Sequence, residues 1–280
     1  YAANQEPDSW DSISRGPSSL TEPACPDPAR AAIDTKRSKK SLLGAPTTSY
    51  VPLDLEAGCY RGYDHGVIFW HPKFGAYEVH GGIKTKWSKL GWKTLGYPLT
   101  DETPTADGAG RYNHFQNGSI FWHPETGAHM INGAVESKWV AQGAEIGFLG
   151  YPVSDTVNGS GAQGRFSHFQ KGSIFWHPQL GAHVVQGEIR KEWASLGWEG
   201  GSLGYPVTDE KSIPQSKTRY SQFQYGAIYW HPAVGTHVTN SFMDDGWLFD
   251  FRTNITPTEL RSHVMNDKGL AWFQEEVAVV

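Results

Sequence analysis

Two hundred and eighty residues and 31.0 kDa give enough chain for one large domain or two small ones around a sizeable core. The formal charge is −5, from 24 Lys and Arg against 29 Asp and Glu, and the longest basic run is Lys36-Arg37-Ser38-Lys39-Lys40, which argues against a nucleic-acid partner or an anionic-membrane footprint. With 12 Trp, 12 Tyr and 13 Phe the chain is folded rather than disordered, and no stretch nears the ~18 apolar residues of a membrane-inserted helix.

Residues 1–40 read as an N-terminal arm, Pro- and Ser-rich to about residue 27, with a degenerate helix over Pro28 to Lys40. Tyr1-Ala2-Ala3 carries neither an initiator Met nor a charged-then-apolar leader, as expected if a secretion signal has been removed or an end trimmed. Cys25 and Cys59 admit two readings. One is a disulfide tying the arm to the first body segment, worth roughly 3–4 kcal/mol for a loop of this size; the other is a pair of buried thiols in a reducing cytosol.

Residues 41–240 are a repeat domain. Leu43-Gly44-Ala45-Pro46, Leu95-Gly96-Tyr97-Pro98, Leu149-Gly150-Tyr151-Pro152 and Leu203-Gly204-Tyr205-Pro206 are spaced by 52, 54 and 54 residues. Phe69-Trp70-His71-Pro72, Phe121-Trp122-His123-Pro124, Phe175-Trp176-His177-Pro178 and Tyr229-Trp230-His231-Pro232 each begin 26 residues after the preceding Leu. In the second unit Asn117-Gly118 signals a two-residue hairpin between strands Arg111 to Gln116 and Ser119 to His123, and a turn at Pro124 to Gly127 leads to a strand Ala128 to Ile131, making a three-stranded meander. Ile83/Trp87, Val135/Trp139 and Ile189/Trp193 then stand four apart, on one face of short helices over Gly82 to Leu90, Gly133 to Gln142 and Gly187 to Leu196, with Gly91, Gly143 and Gly197 as stops. In the Leu-Gly-Tyr-Pro turn, Gly suits positive φ or close backbone approach and Pro ends strand pairing. After His237 no Ile-x-x-x-Trp pattern follows; residues 241–280 read as a non-repeat tail or cap, with a helix start at Thr256-Pro257.

The string Gly-x-Ile-x-Trp-His-Pro, Gly-Ala-His, Gly-x-Ile-x-x-x-Trp and Leu-Gly-Tyr-Pro, with Asp shortly after, resembles the LGFP repeat, four times over Leu42 to Val238. The resemblance implies a secreted or cell-wall-associated protein of the kind appended to hydrolases or to mycolyltransferase-like enzymes of actinobacteria, and attachment to cell-wall polymer. The first unit departs from the pattern in Leu-Gly-Ala-Pro and in lacking the later Asp, and the last lacks its helix.

A turn at Asn117-Gly118 pairs Gln116 with Ser119, Phe115 with Ile120, His114 with Phe121 and Tyr112 with His123. Phe115, Ile120 and Trp122 then form a core face, and Tyr112, His114, Phe121 and His123 the opposite one. Such a face of rings and imidazoles suits a sugar, whose C–H face lies on an aromatic ring while its hydroxyls need partners at the edge; equally, it suits stacking between neighbouring units. The candidate ligand-binding set is Tyr112, His114, Phe121, His123, Phe175 and His177, with His129, His183, Tyr97, Tyr151, Tyr205, Asp101, Asp155 and Asp209 recurring beside them. Two imidazoles and one of these Asp would make a metal site, but the ligand spacing is looser than zinc sites show, and neither a metal nor another cofactor is expected. Catalytic signatures such as His-Glu-x-x-His, Gly-x-Ser-x-Gly and Walker-type loops are absent from the sequence. Polar groups that recur once per unit favour multivalent binding over a single catalytic centre. The expectation is therefore a mostly β protein of four repeats in a closed, propeller-like or strongly curved array, binding cell-wall or extracellular polysaccharide without catalysis. The alternative is a wall-glycan hydrolase, or an accessory region of a fused or associated hydrolase whose catalytic part lies beyond residue 280.

Overall fold

A computed structural model describes residues 24–53, 58–214, 216–233 and 235–239. Most of the arm (1–23) and the tail (241–280), including the helix start at Thr256-Pro257, lie outside the described residues. The described chain is mostly β. It forms four antiparallel sheets, each with its four strands in chain order. Sheet 2 runs Thr103–Pro104, Arg111–Phe115, Gly118–His123 and Gly127–Ile131, and the same pattern recurs at Val51–Pro52 to Gly75–His80, Val157–Asn158 to Gly181–Gln186 and Lys211–Ser212 to Gly235–Thr239.

Each meander therefore has a fourth strand that the sequence pattern does not announce. It is two residues long, too short for an alternating signal, and is held by pairing alone, Thr103 with Tyr112 and Pro104 with Arg111 in sheet 2. The hairpin register also corrects the expected one. Phe115 pairs with Gly118, His114 with Ser119, Asn113 with Ile120 and Tyr112 with Phe121, so the two-residue turn is Gln116-Asn117. This slip of two residues preserves the alternation of the pleat, and both faces keep their expected membership.

The helices that follow sheets 1 to 3 are Gly81–Leu90, with a single further turn at Trp92–Leu95, Gly133–Ala141 and Gly187–Ser195, with Trp87, Trp139 and Trp193 fully buried. In each, Gly91, Gly143 or Gly197 ends the run at positive φ. A further helix, Asp27–Ser38, precedes the first sheet. The disulfide Cys25–Cys59 pins its start, with Cα atoms 5.9 Å apart.

Two compact units result, one holding residues up to Thr156 together with Ser167–Gln170, the other Val157–Phe166 and the residues from Lys171 onward. In the first, helices and sheets alternate. Ile33 of the leading helix packs with Leu43, in the turn that follows it, and with Tyr63 and Ile68 of sheet 1. Ile83 and Trp87 lie between Val67, Phe69 and Val79 of sheet 1 and Phe115, Ile120 and Met130 of sheet 2. The second unit repeats the layer, Ile189 and Trp193 lying among Phe175, Val185, Phe223 and Ile228. A short helix is marginal alone, and the layering is what makes each of these stable.

Candidate functional site

The recurring His of each Trp-His-Pro motif closes its own turn. The Nδ1 atoms of His71, His123, His177 and His231 accept the backbone N–H two residues on, at 3.1, 3.2, 3.3 and 3.2 Å. The imidazole is thus an acceptor for an amide, which in the neutral ring leaves the proton on Nε2. The ring faces then meet the Tyr of the next Leu-Gly-Tyr-Pro turn, with centroids 4.7 Å apart for His71–Tyr97, 4.3 Å for His123–Tyr151 and 5.0 Å for His177–Tyr205. Tyr97, Tyr151 and Tyr205 are only 3, 3 and 6% exposed. Their backbone N–H groups donate to Gln116, Gln170 and Gln224 in the hairpin turns, at 2.8 to 2.9 Å. Gly96, Gly150 and Gly204 take positive φ beside these amides, and a Cβ there would strike the Gln side chain.

Phe121 and Phe175 are likewise packing residues, meeting Trp139 and Trp193 edge-on at 4.6 and 4.5 Å. Tyr112 stacks on Phe121 at 5.3 Å, and Tyr112 and His114 are half-buried at the edge of that layer. His129 and His183 each donate Nε2–H to a turn carbonyl, of Thr126 and Leu180, at 2.8 Å.

Asp101, Asp155 and Asp209 accept the backbone N–H of Glu78, Met130 and Val184 in the preceding sheet, at 3.2, 2.9 and 2.8 Å. Two of them also hold a lysine from one helix further back: Lys36 at 3.0 Å from Asp101 and Lys86 at 2.5 Å from Asp155. Each such Asp ties three successive layers. Burial opposes the charge on Asp155, but His129, Lys86 and the Met130 amide outweigh it and hold the carboxyl at about 2.

Two ionisable clusters do not recur. Glu78, fully buried, binds Lys40 at 2.9 Å and His80 Nδ1 at 2.6 Å, while His80 Nε2 meets Glu102 at 3.1 Å. Burial alone would discourage the charge on His80, but the two carboxylates prevail and raise it to about 9. With both nitrogens committed to carboxylates, this imidazole offers no lone pair to a substrate. In the second cluster Ser119 Oγ donates to Glu136, and His114 Nδ1 lies 2.6 Å from the same oxygen. The hydroxyl sits between base and acid, the reverse of a nucleophile relay, and Ser119 is 1% exposed. In repeat 3 Arg190 Nε donates to the equivalent Ser173 at 2.6 Å, so the arrangement is not kept. Among the described residues no three His, Cys, Asp or Glu come together to hold a metal ion.

In the second unit a groove of about 540 Å³ is lined by Lys171, Gln186, Gly187, Glu188, Ile189, Glu210, Arg219 and Trp230. Trp230 is half-buried and pairs across the ladder with Arg219, whose Nη1 binds Glu210 Oε1 at 2.7 Å. The equivalent residues of the first unit are Trp122, Arg111, Glu102 and Gly82. There Trp122 lies on the helix start, for a Cβ at Gly82 would stand 2.6 Å from its Cδ1. At that helix position repeat 3 has Glu188, whose Cβ denies Trp230 the same seat and leaves the groove. Trp122 is accordingly half-buried, packed against the Phe115 and Ile120 cluster from its edge. The signal that points to this edge is the pairing of Arg111, Arg165 and Arg219 with a Trp at a constant spacing.

The LGFP repeat model matches residues 43–94, 95–147, 149–201 and 203–248. The chain belongs to the LGFP repeat family. Each LGFP repeat opens on a Leu that is fully buried, Leu43, Leu95, Leu149 and Leu203, and contains one whole sheet. The groove is therefore a property of a pair of LGFP repeats and not of one. No curated protein is matched. Among solved structures, a match described as "Streptogramin B lyase structure" has 7% identity and a TM-score of 0.14, covering 72% of this chain and 55% of that one, so the chain spans little more than half its length. At that TM-score the likeness carries no argument.

Proposed function

We propose that this LGFP-repeat chain binds cell-wall or extracellular polysaccharide without catalysis, and that its contact surface is the Trp–Arg edge between repeats. The groove at Trp230 carries the reading. It offers the face of an indole flanked by Arg219, Glu210, Gln186 and Lys171, an apolar platform with donors and acceptors at its rim, as a sugar ring requires. Recurrence of the Trp and Arg at fixed spacing supports further, shallower contacts along one polymer, with Trp122 seated on its helix start where Trp230 borders a groove, and avidity from high effective concentration. Secretion, wall attachment, a fused or associated hydrolase partner and the closed or strongly curved arrangement of repeats belong to the same proposal. Small-angle X-ray scattering tests the last of these, an extended profile speaking against it.

Retention of the full chain on purified wall polysaccharide, with a change in Trp fluorescence on titration, is the expected result, and Trp230→Ala should weaken binding roughly tenfold. No retention together with unchanged fluorescence would reject it. A second reading, a ligand-free spacer, is favoured by the burial of Tyr97, Tyr151, Tyr205, Phe121 and Phe175 in contacts between layers. It predicts that Trp230→Ala leaves every glycan interaction unchanged.

A further inference from the structure

Two glycines open the helix Gly81–Leu90, and they stand there for different reasons. Gly81 takes a φ of +56° with open space around it, so its freedom is a backbone need, and Gly187 opens the helix of repeat 3 in the same way at +54°. Gly82 takes no positive φ. What it lacks is room, for a Cβ there would stand 2.6 Å from Cδ1 and 2.8 Å from Nε1 of Trp122. The indole of sheet 2 lies down on a bare Cα, and any side chain at this position has to lift it.

Repeat 3 carries that side chain. Glu188 follows Gly187, and the helix start accepts it because a carboxylate suits the first turn and its Oε1 binds Lys191 Nζ at 2.6 Å, three residues on. Trp230 has the place in sheet 4 that Trp122 has in sheet 2, each pairing across its ladder with an Arg, Arg219 and Arg111. Trp230, Glu188 and Ile189 all border the groove, so this indole has not closed onto its helix as Trp122 has.

We propose that the second helix residue is the positioning residue of the groove. The Cβ of Glu188 holds Trp230 off the helix start and keeps the groove open; Gly82, with no Cβ, lets Trp122 shut the equivalent space. One residue per repeat thus sets how many open grooves the array presents. What this does to ligand binding rests on the polysaccharide reading above, whereas the placement of the two indoles does not.

The test uses the full chain labelled with fluorotryptophan, in which fluorine NMR reports each indole and Trp122→Phe and Trp230→Phe assign the two signals. Gly82→Ala should move the Trp122 signal and raise its solvent isotope shift, and Glu188→Gly should move the Trp230 signal and lower its shift. Glu188→Ala keeps the Cβ and should leave the Trp230 signal in place, whereas a role through the carboxylate or its Lys191 pair would move it. On wall polysaccharide, Glu188→Gly should weaken retention roughly tenfold, and Gly82→Ala should strengthen it by adding a second groove. A Trp122 signal unmoved in Gly82→Ala would overturn the proposal, as would a Trp230 signal unmoved in Glu188→Gly or moved as far by Glu188→Ala. The two positions lie in separate compact units, so a folding defect in one variant leaves the other informative. Signals that move as expected while neither parent nor variants are retained would uphold the positioning role and reject the polysaccharide reading instead.

Discussion

Gly58, Gly110 and Gly164 each lie bare against the Tyr ring of the following repeat. A Cβ at Gly110 would come within 2.7 Å of both Tyr151 and the Trp122 carbonyl, and one at Gly164 within 2.5 Å of Tyr205. Repeat 4 has Thr218 at this position, and no further Leu-Gly-Tyr-Pro turn follows it in the sequence. The glycine is therefore a demand made by the next repeat, not by its own strand. Gly110→Ala is expected to cost about 1–3 kcal/mol by overpacking, whereas Thr218→Gly should cost about 1 kcal/mol or less; urea denaturation of the two variants separates them. The Gln of the hairpin turn behaves similarly. Gln116→Ala leaves the Tyr97 amide without its acceptor and should cost about 1–2 kcal/mol in the same assay, with Gln170→Ala matching it.

Helices, strands and turns were legible from sequence wherever the cause is local. The Ile-x-x-x-Trp spacing, the Gly stops and the Trp-His-Pro motif place three helices and the meanders, because periodicity and turn chemistry act within about ten residues. The extra strand was not legible because two residues carry no alternation, the hairpin register because a two-residue shift leaves the pleat unchanged, and the service of Asp101 and Asp155 because their partners lie far along the chain. Lys36 and Asp101 are 65 residues apart. Aromatic residues that looked like a ligand platform are largely the layer contact itself, and composition alone does not tell these apart. The ion pairs between elements set the pH response. Asp155 ionises at about 2 in the folded protein against an ordinary 3.8, so its stabilisation is complete above about pH 4 and fades as the pH falls toward 2. Asp155→Asn should remove about 2 kcal/mol at neutral pH and flatten the acid limb of a stability profile. His80 acts in the opposite sense. Its folded value of about 9 against 6.5 gives stability that is complete below pH 6.5 and lost as pH rises through 9, so His80→Gln should abolish the alkaline decline in thermal midpoint.

At the scale of the molecule, two compact units share one chain, and the disulfide Cys25–Cys59 belongs to the first alone. Reduction opens a loop with a sequence separation of 34 and should remove roughly 3–4 kcal/mol from that unit. Calorimetry with and without reductant is expected to show the first unit's transition falling by on the order of 10 °C while the second unit's stays in place. The lysine–aspartate ties reach past the adjacent layer: Lys86, the Met130 amide and Asp155 come from three consecutive repeats. Solenoids whose modules touch only their neighbours can gain or lose a copy at small cost, because every seam is alike. Here excising the middle module would delete the amide that the outer two residues share, and pasting in a spare would part Lys86 from Asp155. Copy number in this chain is thus constrained by bonds that skip a generation, and natural length variants should change at the ends of the array before they change within it.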